Sequence, residues 1–362
     1  MREVSNALGR AVDRYGQFRQ QWYALPILLV ITFAILAAMP VLRRLAFLGY
    51  APLGWLSLNM LVLTLIWATT AQAWNIMSGY TGQFSFGHAA FFGIGAYATI
   101  ILTAEHSISP WLGMLLGSVV AAIYGLLVGA LSFRYDLKGH YFALATLAFA
   151  ELLRYVFNNA AELGGASGFF RPLPREYAEG PGLAAFQFLE TMPYYYLILG
   201  FLVVVTVVSL AINRSQLGYY LFAIREREQA ALAIGVPTYR YKLLGISVSA
   251  FFTAWPGAFW AMYFNTIRPD TVFDLLINVE VLLPAIVGGV GTVLGPILGS
   301  FVVTPVSEFV RQSFDISGLN NAVYGVVLIA IVLYSPKGVV SWPSRLAELL
   351  REHTGVLETD DG

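Results

Sequence analysis

The chain has 362 residues, 58% of them hydrophobic and only 12% charged, with a mean hydropathy of +0.68. That is too apolar for a water-soluble globule and calls for an integral membrane protein solvated by lipid. The 21 basic and 21 acidic residues cancel, so no net field attracts nucleic acid, and the absence of cysteine excludes disulfides, thiolate nucleophiles and Cys-based metal sites.

Residues 1–23 are polar, carry Arg2, Arg10, Arg14 and Arg19, and place Val4, Leu8, Val12, Tyr15 and Phe18 at helical spacing. The charged stretch is long and no small-residue cleavage site follows. It is therefore expected to be a cytoplasmic amphipathic arm on the membrane surface or a partner, or else a frayed arm, and not a cleaved signal.

A span needs about 20 apolar residues. The first six candidates are Ala24 to Pro40, Leu53 to Ile76, Phe84 to Ala104, Trp111 to Phe133, Tyr141 to Phe157 and Tyr194 to Ile212. From a cytoplasmic N-terminus, this order puts Arg134 and Lys138 inside and the turn Glu105 to Pro110 outside. The loop 158–193 is then extracytoplasmic and the basic loop 214–242 cytoplasmic, as the positive-inside rule favours. Only Arg43 and Arg44 dissent.

Next come Leu243 to Phe264, Leu275 to Phe309 and Leu319 to Tyr334, then a tail over 336–362 with Lys337, Arg345 and Arg351. A cytoplasmic tail requires Leu275 to Phe309 to be two spans or a re-entrant hairpin, broken at Gly288-Gly289-Val290-Gly291-Thr292. The expected fold is an all-α, polytopic transmembrane helical bundle over 24–335, with about eight to ten membrane segments, some discontinuous.

Two breaks interrupt the apolar pattern. Around the first, Ser85, Ala89 and Gly93 recur every four residues, and around the second Gly291, Gly295 and Gly299 do so, a spacing that lets helix backbones approach closely in lipid. The first break also carries Gln83, Ser85 and His88, polar groups that are costly at membrane depth unless used. Gly79, Gly82, Gln83, Ser85, Gly87 and His88 are the candidate lining of a translocation pathway, although a packing role or a satisfied structural histidine explains the same residues. Glu151, about ten residues into its span, is the next pathway candidate, with Arg154 three residues on as its expected partner. An ion pair that pins two helices is the competing reading, and Glu280 invites the same two.

Within the basic loop, Arg225-Glu226-Arg227-Glu228-Gln229-Ala230-Ala231-Leu232-Ala233-Ile234-Gly235-Val236-Pro237 has charges at its start, an Ala-rich middle and a Gly–Pro stop. That pattern predicts a short surface helix, fit for a partner's groove or merely solvated.

The run Gly79-Tyr80-Thr81-Gly82-Gln83-Phe84-Ser85-Phe86-Gly87-His88-Ala89, followed by Phe91-Phe92-Gly93-Ile94-Gly95-Ala96-Tyr97, resembles the signature of LivM-type permeases of branched-chain amino-acid ABC importers. The stretch Gly139 to Glu151, the loop Arg225 to Leu244 and the segment Gly288 to Gly299 resemble that family too, and the likeness runs from about Leu53 to Val339. It implies a homologous LivH-type second permease, two cytoplasmic ATPase subunits, an extracytoplasmic substrate-binding protein and a place in a bacterial or archaeal cytoplasmic membrane. It also implies that Arg225, Arg227, Glu228, Ala230, Ala231 and Gly235 belong to the helix that couples to the ATPases. Where the general importer loop carries an acid this chain has Gln229, with Glu228 one position earlier.

No Gly-x-x-x-x-Gly-Lys-Ser/Thr phosphate loop occurs, so ATP is expected on partner subunits and no cofactor on this chain. The rival reading is a gradient-driven transporter or channel, with Glu151, His88 or Glu280 relaying protons or binding an ion. A membrane enzyme is disfavoured: the four histidines (His88, His106, His140, His353) show no His-x-x-x-His spacing for a metal. Related permeases carry urea, short amides and other amino acids, a choice this one sequence leaves open.

Overall fold

The computed structural model describes residues 24–46, 57–171 and 182–313, together with 325, 326, 329 and 338–341. The expected arm over 1–23, most of the last span and most of the tail lie outside the described residues.

In chain order the helices are α1 (Ala24–Ala46), α2 (Leu58–Trp74), α3 (His88–Ala104), α4 (Pro110–Arg134), α5 (His140–Asn159), α6 (Thr191–Asn213), α7 (Gln216–Ala233), α8 (Thr238–Phe264), α9 (Pro269–Val272), α10 (Leu275–Gly288) and α11 (Gly295–Ser313). A π-helical turn, Asn75–Gly79, extends α2. Strands β1 (Phe169–Phe170) and β2 (Thr266–Ile267) pair antiparallel, Phe169 opposite Ile267 and Phe170 opposite Thr266.

Among the described residues, six helical stretches are long and apolar enough to cross a membrane: α1, α2 with its π turn, α4, α6, α8, and α9 with α10. The shorter apolar helices α3 and α11 join them. α5 has the length of a span, but Glu151 and Arg154 interrupt its apolar run.

α2 is apolar on all sides, and 94% of its span is buried against 17% for α1, so α2 is the axis of the bundle and α1 its periphery. α6, α8, α10 and α11 pack against α2, while α3, α4 and α8 pack on one another. Small residues make the second set close. The backbone of Gly95 lies against the Ala254 carbonyl and that of Gly257 against the Phe92 carbonyl, leaving no room for a Cβ at either glycine. Over these contacts lies an aromatic core, with Trp67 stacked on Phe92 at 6.0 Å and Tyr97 on Phe273 at 5.6 Å.

The stretch Leu275 to Phe309 is a hairpin of two helices. α10 and α11 touch through backbone, because Gly288 abuts Gly295 and Gly299 abuts the Pro284 carbonyl and the Gly288 amide. The expected third span starts at His88 and not at Phe84, since residues 82–87 are non-helical and form the turn out of α2.

One end of the bundle carries Arg134, Lys138, Arg214, Arg225, Arg227 and Lys242 on the α4–α5 turn, α7 and the start of α8. This basic end also holds both glycine breaks. At the opposite end Trp111 Nε1 donates to the Leu183 carbonyl at 2.8 Å, Tyr263 donates to Asn59 Oδ1 at 2.9 Å, and β1 pairs with β2.

Gly299→Leu forces α11 away from α10 and should destabilise the chain by about 1–3 kcal/mol. Gly200→Leu on α6, where a side chain meets open space, should leave stability unchanged. Thermal unfolding in detergent checks both, and equal melting temperatures for the two variants would mean that α10 and α11 do not touch.

Candidate functional site

At the basic end the helical pattern of α2 gives way to the π turn because Asn75 turns its side chain out of the helix. Its Nδ2 donates to the Thr292 carbonyl at 2.9 Å, and its Oδ1 accepts from the Gly291 amide at 2.7 Å. One asparagine thus ties the first break to the second. Gly79 fits because a Cβ there would collide with Asn75 and the Gly291 amide. Gly82 reverses the chain with φ of +72°, a left-handed conformation open to glycine.

Residues 82–87 then run back along the last turns of α2, where no water is at hand to satisfy the backbone. Side chains do so instead. The Gln83 amide donates to Thr81 Oγ1 at 3.2 Å, that of Ser85 to Ser78 Oγ at 3.2 Å, that of Phe86 to Thr146 Oγ1 at 3.0 Å, and that of Gly87 to Ser85 Oγ at 3.2 Å. Trp74 Nε1 donates to the Ser85 carbonyl at 2.9 Å, and Asn278 Oδ1 accepts from the Ala89 amide at 2.8 Å.

His88 Nε2 lies 2.8 Å from Ser249 Oγ, and the Ser249 hydroxyl donates to the Ala73 carbonyl at 2.7 Å. With that proton committed, Ser249 accepts from His88, which sets the Nε2–H tautomer. Ser85 and His88 are wholly buried, and Gln83 nearly so, with its Oε1 unpartnered among the described residues. In this conformation the break is therefore closed, and its polar groups staple α2, α3, α5, α8 and α10 together.

α7 is the surface helix over the basic end. It starts at Ser215, whose hydroxyl caps the Gly218 amide, and kinks at Arg227. It stops at Gly235, which has φ of +91°. The Val236 amide reaches the Ala231 carbonyl and the Gly235 amide the Leu232 carbonyl, both at 3.0 Å. This is a Schellman stop with glycine in the left-handed position and Pro237 just beyond.

Two charged side chains lash α7 to the bundle. Arg225 Nη1 donates to the Gly79 carbonyl at 2.8 Å, its stem packs over Gly82 and its guanidinium over Gly291, so one side chain rests on both breaks. Glu228 accepts from Lys242 of α8 and lies 3.8 Å from Lys138 of the α4–α5 turn. The Lys242 side chain is only 3% exposed and sits 4.7 Å from the Phe133 ring centroid. At the turn, Lys138 bonds Asp136 at 2.8 Å, which holds the Asp136 carboxyl below the usual range and raises Lys138.

Of the expected coupling residues, Arg225 and Glu228 thus bond their own chain and Ala231 is buried, whereas Arg227, Ala230 and Gly235 are exposed. Exposed beside them are Leu232 and Ile234, the latter 80% accessible. Ala89, Gly93, Gly291, Gly295 and Gly299 all lie at close contacts: Gly93 faces the Phe273 ring, and the Ala89 amide is held by Asn278.

Glu151 sits with Arg154, whose Nε and Nη2 both approach Glu151 Oε2 at 2.8 Å. Arg154 also reaches Asp270 Oδ1 of α9 at 2.9 Å, where Asn158 Nδ2 donates at 3.0 Å. Glu280 is half-buried on α10. Asn75, Ser249, Lys242, Asn278 and Asp270 were not legible as site residues. Each is a lone polar group within or beside an apolar run, and its partner comes from another helix. Among the described residues no three His, Asp or Glu side chains converge to hold a metal ion.

A family model described as "Branched-chain amino acid transport system / permease component" matches residues 56–332. The chain is 24% identical over 307 residues to the high-affinity branched-chain amino acid transport system permease protein LivM of Escherichia coli, covering 78% of this chain and 70% of that protein. It is 26% identical over 302 residues to LivM of Salmonella typhimurium, with the same coverage. To the permease protein BraD of Pseudomonas aeruginosa it is 23% identical over 296 residues, 79% of this chain and 94% of that protein. No solved structure matches the chain.

Lys242→Met leaves the Glu228 carboxylate half-buried beside Lys138 alone and should destabilise the chain by about 2–4 kcal/mol, whereas the double change with Glu228→Gln should recover part of that loss. Denaturation of the two single variants and the double variant measures the coupling, and strict additivity would show that the pair does not hold α7 to α8.

Proposed function

The chain belongs to this permease family, and we propose that it works as one permease subunit of an ATP-driven importer for branched-chain or related amino acids. The basic end then faces the cytoplasm of a bacterial or archaeal cell. A homologous second permease completes the pathway, two cytoplasmic ATPase subunits supply the energy, and an extracytoplasmic binding protein delivers the ligand.

The observation that carries this reading is the grip of Arg225. α7 exposes Arg227, Ala230, Leu232 and Ile234 as a short, mostly apolar end that fits a groove on an ATPase. Its other side holds Gly79 and Gly291 through one guanidinium, and α8 with the α4–α5 turn through Glu228. A displacement of α7 by closing ATPases therefore reaches both glycine breaks and two further helices at once. Glycine hinges and packed helices respond by switching between discrete arrangements, as alternating access requires.

The turn carrying Gly79, Gly82, Gln83, Ser85, Gly87 and His88 is the cytoplasmic gate in this scheme. It is closed by its own hydrogen bonds at rest and opens onto the pathway when α7 moves. Glu151 belongs to the pathway above it.

In vesicles containing the complete importer, Arg225→Ala should lower ATP-driven leucine uptake by at least about tenfold, the factor expected when a charge-assisted hydrogen bond is lost from the moving part, while the ATPases still co-purify. Uptake at the wild-type rate, or uptake driven by an ion gradient without ATP, would count against the reading. Because the chain has no cysteine, Ser85→Cys is a single reporter of the gate. It should resist an impermeant maleimide at rest and react during turnover, and equal reactivity in both states would place the gate elsewhere.

A further inference from the structure

α5 does not fit a lipid-facing role. It buries only Phe142, Thr146 and Ala150, one narrow stripe, and leaves charged groups half-exposed at membrane depth. Glu151 lies eleven residues into the helix, which at about 1.5 Å per residue is some 16 Å, about half of a hydrocarbon core about 30 Å thick. Charges at that depth belong next to a water-filled path or a protein partner.

Glu151, Arg154 and Asn158 recur at i, i+3 and i+7, so they form one polar stripe on α5, closed by Asp270 from α9. Two polar atoms at this stripe are buried without partners among the described residues. One is the hydroxyl of Tyr97, a residue only 1% exposed whose ring meets Phe157, next to Asn158, at 4.5 Å and Phe273, just beyond α9, at 5.6 Å; the other is Asn158 Oδ1. The site therefore has one unused donor and one unused acceptor beside two carboxylates and one guanidinium. A group that supplies a carboxylate to the first and an ammonium to the second satisfies both.

We propose that Arg154, Asp270, Asn158 and Tyr97, with Glu151 holding Arg154, form a site for the α-amino and α-carboxylate groups of a zwitterionic amino acid, toward the end of the bundle opposite the basic end. The proposal rests on the permease reading above and narrows it, because a neutral urea or short amide brings neither a carboxylate to the guanidinium nor an ammonium to Asp270. On binding, the ligand carboxylate takes the Tyr97 hydroxyl and the guanidinium edge now held by Asp270. Asp270, released, takes the ammonium together with Asn158 Oδ1. One ion pair becomes two, and the site keeps its charge balance.

The test is leucine uptake by the complete importer in vesicles with its binding protein and ATP, set beside thermal unfolding of each variant. Tyr97→Phe deletes a hydroxyl without a hydrogen-bond partner among the described residues, so the melting temperature should hold or rise. The maximal uptake rate should nevertheless fall by about tenfold, the factor for a lost hydrogen bond to a charged group. Asp270→Asn should lower the rate at least as far. The swap of Glu151→Arg with Arg154→Glu, which keeps an internal ion pair, should not restore transport. Wild-type rates in Tyr97→Phe and Asp270→Asn, or full recovery in the swap, would overturn the site while leaving the importer reading intact. A wild-type importer that moves no zwitterionic amino acid under ATP would overturn both.

Discussion

No backbone amide can stay unpaired at membrane depth, and the rest of this structure follows from how one six-residue stretch meets that demand. Between α2 and α3 the chain leaves the helix, turns at Gly82 and runs back along α2 with its amides exposed to protein. Thr81, Ser78, Thr146 and Ser85 take up four of those amides. Thr146 of α5 takes an amide of the turn, Asn278 of α10 the Ala89 amide and Ser249 of α8 the His88 side chain, so the turn and the start of α3 also fix the positions of three other helices. The paired polar groups of the break are thus tertiary cement, and their cost in an apolar core is offset only by the hydrogen bonds they make.

Glycine lies where the end of α2 and the turn meet Asn75, Gly291 and Arg225. Gly79 lets the Asn75 amide reach Gly291, and Gly291 leaves room for the Arg225 guanidinium. Contacts between glycine backbones and one charged side chain hold firmly in a single geometry and offer little resistance once that geometry is left. α7 therefore rests on a junction of glycine backbones, and Glu228 with the buried Lys242 gives it a second grip on α8.

Buried polar atoms without partners among the described residues lie at both ends: Gln83 Oε1, His88 Nδ1 and Asn278 Nδ2 at the break, and the Tyr97 hydroxyl and Asn158 Oδ1 in the cluster around Arg154, beside groups of both charges. Unused hydrogen-bonding capacity in a buried place costs stability, and a ligand that supplies the missing partners turns that cost into affinity.

Much of this was legible in the residues. The apolar runs set the membrane class and most span positions among the described residues, since the need for about 20 apolar residues is local. The Gly–Pro stop of α7 was legible because a left-handed cap needs glycine, and the Glu151–Arg154 pair because residues three apart on a helix face each other. The four-residue glycine spacing likewise marked the contact of α10 with α11. Folding alone decided which way the polar groups turn. Gln83, Ser85 and His88 read equally as pathway or as packing until Ser249 and Thr146 were seen to arrive from other helices. Glu228 read as a contact for a partner until Lys242 was found beneath it, and nothing near Asp270 in the chain points to Arg154, more than a hundred residues away. Length, periodicity and caps are properties of neighbouring residues, so sequence determined them. The partners of a lone buried polar group are set by how helices dock, and only the tertiary structure supplies those.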